Sequence, residues 1–118
     1  MFDESVTYDL KSRDFWIKVI EMLQENWALI EESENDPSCI VYFIACGRDC
    51  GVFDQLEYDS LEHAKAELRY NGFMRCIPEE GYNDYFLDKK PQPPFYKYHH
   101  PNGPIYSSGK FWRKINLP

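Results

Sequence analysis

The chain has 118 residues and a net charge of −7, with 43% of its residues hydrophobic and 17% aromatic. That length supplies one domain with one core, and so much apolar surface excludes a disordered chain. No window of ~18 uncharged apolar residues occurs, and Asp3, Glu4, Asp9, Lys11, Arg13, Asp14 and Lys18 fill the first twenty positions, so neither a membrane span nor a signal peptide is expected and the expectation is a cytoplasmic protein.

The first residues read as an irregular or short extended lead. Ser12 or Asp14 then offers a cap for a helix beginning near Phe15. Trp16, Val19, Ile20, Leu23, Trp27 and Ile30 recur at spacings of three and four, with Lys18, Glu21, Gln24, Glu25 and Glu31 opposite, which predicts an amphipathic helix. Glu31, Glu32, Glu34 and Asp36 would sit against the negative end of its dipole, and Pro37 would stop it. The apolar run Cys39 to Ala45, β-branched and aromatic, predicts a strand buried on both faces. Gly47-Arg48-Asp49 supplies turn chemistry. A second strand follows to Tyr58, with Val52, Leu56 and Tyr58 on one face and Asp54 breaking that face.

Asp59-Ser60-Leu61-Glu62 is a capping-box pattern that opens a second helix, with Asp59 and Glu62 as the reciprocal pair. Leu61, Ala64 and Leu68 would face the core, and Asn71-Gly72 closes the helix so that Phe73 can fold back. One short strand is expected between Phe73 and Ile77, then a turn at Pro78-Glu79-Glu80-Gly81. The prolines of 91–94, with Pro101 and Pro104, make residues 89–104 irregular, and Ser107 to Lys110 outlines a terminal hairpin. The resulting expectation is a single α+β domain, with two helices packed on an antiparallel sheet of four to six strands. Its acidic body is residues 1–88, and a basic aromatic segment, 89–118, docks on it.

The charges are segregated. Residues 1–88 hold 20 acids and 7 bases, a balance of −13, and residues 89–118 hold 6 bases and no acid. An acidic body repels phosphate backbones and anionic membranes and attracts basic partners. Glu79, Glu80 and Asp84 interleave with Tyr82 and Tyr85, and Glu25, Glu31, Glu32 and Glu34 form a second acidic set. Acids beside tyrosines suit a protein-binding surface, because tyrosine gives rigid contact area and the acids give orientation. These nine residues are the candidate partner-binding positions. The four cysteines, Cys39, Cys46, Cys50 and Cys76, are expected as free thiols: a cross-strand Cys46–Cys50 bond suits the geometry but not a reducing cytoplasm. No catalytic residue, metal or cofactor is assigned, since catalysis would need Asp54, His63 or a cysteine to converge in one pocket.

Small size, an acidic body, abundant tyrosine and the string Asp54-Gln-Leu-Glu-Tyr-Asp-Ser-Leu-Glu-His-Ala-Lys-Ala-Glu-Leu68, continuing to Asn71-Gly-Phe73, resemble the immunity proteins of bacterial polymorphic toxin systems, including contact-dependent growth inhibition. The resemblance implies a non-catalytic inhibitor that covers the active site of a basic toxin, expected to be a nuclease. It carries no residue roles across, so the nine positions rest on charge and aromatic clustering alone. Membrane, nucleic acid and small molecules are not expected as partners. Two other readings remain: a phage-encoded inhibitor of a bacterial defence complex, and a single-stranded nucleic-acid module in which Lys97, Tyr96, Tyr98, Phe111 and Trp112 act together.

Overall fold

The computed structural model describes residues 2–21, 24–77 and 90–115. Among these the elements are β1 (Phe2–Tyr8), β2 (Phe15–Glu21), β3 (Gln24–Glu32), β4 (Cys39–Cys46), β5 (Cys50–Tyr58), α1 (Leu61–Tyr70), β6 (Met74–Arg75) and β7 (Phe95–Tyr98). They form one sheet in the order β1-β7-β5-β4-β3-β2-β6, antiparallel except where β7 runs parallel to β5. The expected architecture of two helices on four to six antiparallel strands is therefore wrong: the sheet is mixed, it has seven strands, and α1 is its one helix among the described residues.

The correction lies in residues 15–31. Instead of a helix they form β2 and β3, with Phe15 opposite Leu29, Ile17 opposite Trp27 and Glu21 opposite Gln24. Three consecutive residues, Phe15, Trp16 and Ile17, are buried, as are Trp27, Ala28, Leu29 and Ile30. A one-sided helix exposes part of any such run, whereas a strand covered on both faces buries all of it. Ile17, Val19 and Ile30 are β-branched and Phe15, Trp16 and Trp27 aromatic, which favours the pleated arrangement. Spacings of three and four survive because residues from both faces of two strands fall into them.

Alternation along the strands divides the core in two. Trp16, Ala28, Ile30, Val41 and Phe43 point to the side where Ala64 and Leu68 of α1, Phe73, Tyr106 and Trp112 pack. Phe15, Ile17, Trp27, Leu29, Ile44 and Val52 point to the other side and meet Leu10, Cys76 and Phe95. β5 changes sides within itself: Phe43 stands opposite Asp54 but Ile44 opposite Val52, so Phe53 is an extra residue in the strand. This bulge puts Leu56 and Tyr58 on the helix side and Val52 on the other, so the three do not share the face that strict alternation gives them.

α1 begins one residue later than its sequence suggests. Ser60 is the N-cap, and its hydroxyl accepts from the His63 amide at 3.1 Å; Asp59 does not serve. At the other end Gly72 takes φ +89°, and the Phe73 amide reaches back to the Leu68 carbonyl at 2.9 Å, which closes the helix as expected. Residues 89–104 were expected to be irregular, yet β7 forms within them, and it enters the sheet between β1 and β5. The terminal hairpin is absent: residues 105–115 hold no strand and cross the helix side as a looped segment. Cys46 and Cys50 face each other at the mouth of the β4–β5 hairpin and are disulfide-bonded, against the expectation of free thiols; Cys39 and Cys76 are free and buried.

Phe43 is fully buried and packs against Tyr106 at 4.2 Å and Trp112 at 5.2 Å between ring centroids, so it ties the C-terminal segment to the middle of the sheet. Phe43→Ala is expected to cost about 3–5 kcal/mol in denaturant unfolding, near the upper end for a core truncation.

Candidate functional site

β3 and β5 end where the antiparallel β4 begins, and the residues at this edge line a cleft of about 600 Å³ that contains Glu31, Glu32, Ile40, Glu57, Tyr58 and Asp59. Register explains the gathering. Glu31, Ile40 and Glu57 are direct partners across three strands and share a face; Glu32, Cys39 and Tyr58 form the next row on the opposite face. The cleft thus wraps the end of the sheet. Glu32, Glu57 and Asp59 are exposed, while Glu31 is half-buried and accepts hydrogen bonds from the Lys11 and Ser12 amides, both 3.0 Å from Oε2.

None of these four acids forms an ion pair among the described residues; the pairs there are Arg75–Asp14 at 2.7 Å and His63–Glu67 at 3.3 Å. Carboxylates adjacent and unneutralised give a coherent negative surface. Two residue pairs along the ladder, on the face of Glu31 and Glu57, Tyr42 lies edge-on to Tyr8 at 5.8 Å between centroids. Burial, with Glu31, Tyr8 and Glu57 adding their charge or proximity, pushes the Tyr42 hydroxyl above its usual range, so it stays a neutral donor at any physiological pH.

Acids and tyrosines meet at this edge of the sheet, in a grouping that differs from the one the sequence suggests. Of the nine candidates, Glu31 and Glu32 line the cleft. Glu34 is exposed on the adjoining β3–β4 connection. Glu25 is at the far end of β3, roughly 20 Å from Glu31 at ~3.3 Å per residue, and lines another cavity. The supposed ridge is split because it belongs to a strand, not a helix. Glu79, Glu80, Tyr82, Asp84 and Tyr85 lie outside the described residues. Glu57, Asp59 and Tyr42 were missed; strand pairing brings Glu57 beside Glu31 through Ile40, and the alternation of Ile40 with Tyr42 and of Gln55 with Glu57 on the paired strands was the available signal.

Asp54 and His63, with Glu67, belong to a hydrogen-bond network that anchors the C-terminal segment. Asp54 is buried, and its carboxylate accepts from the Tyr106 amide, the Ser107 amide at 2.7 Å and the Gln55 amide at 2.8 Å. His63 Nε2 lies 2.7 Å from the Ile115 carbonyl. Glu67, also buried, accepts from the Tyr58 hydroxyl at 2.8 Å, the Ile115 amide at 3.1 Å and the Trp112 indole. Asn71 completes the set: its amide donates to the Arg113 carbonyl at 2.7 Å and its oxygen accepts from the Arg113 amide at 2.9 Å. These groups pin residues 106–115 to β5 and α1.

Among the described residues no three His, Cys, Asp or Glu side chains converge as metal ligands, and no helix is long and apolar enough to cross a membrane. No family model, curated protein or solved structure matches the chain.

Two measurements check this account. Glu67→Ala leaves the Tyr58, Trp112 and Ile115 donors without their acceptor and is expected to cost about 3–5 kcal/mol in denaturant unfolding, with a red-shifted tryptophan emission. Burial pushes the Cys39 thiol from 9.0 up to about 11, with Glu32 and Glu62 adding to the shift. A folded-state value above the unfolded one means that its stabilising contribution is full below pH 9 and is lost as pH rises towards about 11. Alkylation at pH 8 is expected to spare Cys39 in the folded protein and to modify it on unfolding.

Proposed function

We propose that this chain is a non-catalytic inhibitor of the immunity-protein kind, which binds a basic protein toxin and covers its active site. A nuclease toxin suits the physics best. The grooves that hold RNA or DNA are rimmed by Lys and Arg, and a rigid carboxylate surface imitates the phosphates they recognise. The acidic cleft where β3 and β5 end and β4 begins supports the reading: Glu31, Glu32, Glu57 and Asp59 stand together at strand ends held by the sheet, with no ion pair among the described residues. Such a surface steers encounter at rates that fall with salt, and half-buried Ile40 between Glu31 and Glu57 is an apolar anchor that slows dissociation.

The C-terminal bases lend the reading further support. Arg113 donates to the Tyr70 carbonyl and stacks over the Tyr70 ring at 4.5 Å, Lys110 lies over Phe111 at 5.3 Å, and Lys114 shares a small neighbouring cleft with Glu57 without an ion pair to it. The nucleic-acid alternative loses its main platform: Trp112 is buried and hydrogen-bonded to Glu67, so no base can stack on it. A cytoplasmic site of action follows from a nucleic-acid-cleaving target, and the Cys46–Cys50 bond is the feature least suited to that compartment. A phage-encoded inhibitor of a defence complex would employ the same surface.

The test begins with pull-down from the native host at low salt and identification of the bound chain. A basic nuclease whose cleavage of labelled RNA or DNA stops at one equivalent of the protein is the expected result. Glu32→Lys with Glu57→Lys should weaken inhibition by about a hundredfold while leaving the melting temperature nearly unchanged, since both residues are exposed. Unchanged inhibition by that variant, or turnover of a low-molecular-weight ligand by the protein alone, would overturn the reading.

A further inference from the structure

At the opposite end of the sheet from the acidic cleft, the helix side opens into a cavity of about 490 Å³, a size that suits a small molecule. Its lining runs from Lys18 on β2 and Glu25 on β3 to Phe53 on β5 and His100 after β7, and residues 105–112 close over it with Trp112 inside and Phe111 at the mouth. Phe111 is 61% exposed, the most exposed large apolar side chain among the described residues. The Lys110 ammonium lies over its ring at 5.3 Å. Phe53 and His100 rings lie 5.4 Å apart with their planes tilted by 40°, and together they give the cavity an aromatic wall.

The polar groups are what make the cavity specific. Lys18 and Glu25 have opposite charges and line the same space, yet no ion pair joins them to each other or to any other described residue. His100 accepts the Asn102 amide on Nδ1 at 3.1 Å, which leaves its proton on Nε2 as an uncommitted donor. An aromatic-walled cavity lined by a cation and a carboxylate that form no ion pair among the described residues is complementary to a ligand that has a ring and both charges.

We propose that this cavity binds a small zwitterion with a planar ring, of the chemical class of the free aromatic α-amino acids, with Lys18 facing its carboxylate and Glu25 its ammonium. Site and ligand class are independent of the acidic cleft and of the inhibitor reading.

Trp112 in the lining supplies the signal, so L-phenylalanine, which has no indole, is titrated against tryptophan emission and by calorimetry on the full chain. Saturable binding is expected. N-acetyl-L-phenylalanine, which lacks the ammonium, and L-phenylalaninamide, which lacks the carboxylate, should each bind at least about tenfold more weakly. Glu25→Gln should erase the penalty on the N-acetyl compound alone, and Lys18→Met that on the amide alone, a crossed pattern that general unfolding cannot produce. Should Lys18→Met fail to fold, Glu25→Gln with Phe111→Ala, which should weaken all three compounds alike, still decides the matter. Absence of saturable binding by the folded wild-type chain, equal affinity for the three compounds, or binding unaltered in these variants would overturn the proposal.

Discussion

Two buried carboxylates organise this molecule. Asp54 and Glu67 are each almost wholly removed from water, a costly placement unless every oxygen is hydrogen-bonded. Asp54 meets the backbone amides where the C-terminal segment enters, and Glu67 meets the indole and amide where it leaves. Between these points Tyr106 and Trp112 fill the space over Phe43. Without the acceptors, the segment would leave its amides unpaired against an apolar surface; with them, a strand-free stretch of chain completes the helix-side core.

The same arrangement determines which charges are available to a partner. Asp54 and Glu67 are consumed inside, while Arg113 is drawn onto α1 beside Tyr70. The segregation of charge along the chain therefore does not become a simple cancellation in space. Arg113 is held on α1 and Lys110 lies over Phe111, whereas Glu31, Glu32, Glu57 and Asp59 meet at the strand ends. Net charge alone would have distributed the negative field over the whole body; strand register concentrates it.

How far the sequence could be read follows from the same distinction between local and non-local causes. β4 was legible because a continuous apolar run is the same signal in any context, and α1 because Ser60, Asn71 and Gly72 carry cap chemistry within one turn of where it acts. β2 and β3 were not, since Trp16, Val19, Trp27 and Ile30 satisfy a helical spacing by accident and only the second buried face, built from Leu10, Cys76 and Phe95, makes strands of them. Asp54 looked like an interruption of an apolar face because its partners, Tyr106 and Ser107, are about fifty residues away. The candidate site was half legible for the same reason: Glu31 and Glu32 are neighbours in sequence, but Glu57 joins them only through Ile40 on the strand between.

The acidic cleft and the aromatic cavity lie at opposite ends of β3, β4 and β5, and one hydrogen-bonded path connects them: Tyr58 lines the cleft and donates to Glu67, which also receives the indole of Trp112, a wall of the cavity. A path of this kind transmits a signal only if some element along it has two arrangements of similar energy. Here burial and pairing oppose a second arrangement, because moving Trp112 off Glu67 would take one donor from a buried carboxylate, leave the indole N–H unpaired and open the core over Phe43. The path therefore acts as a brace. It holds Tyr58 in place beneath the acidic rim and Trp112 at the cavity wall, so each end can be occupied without altering the other.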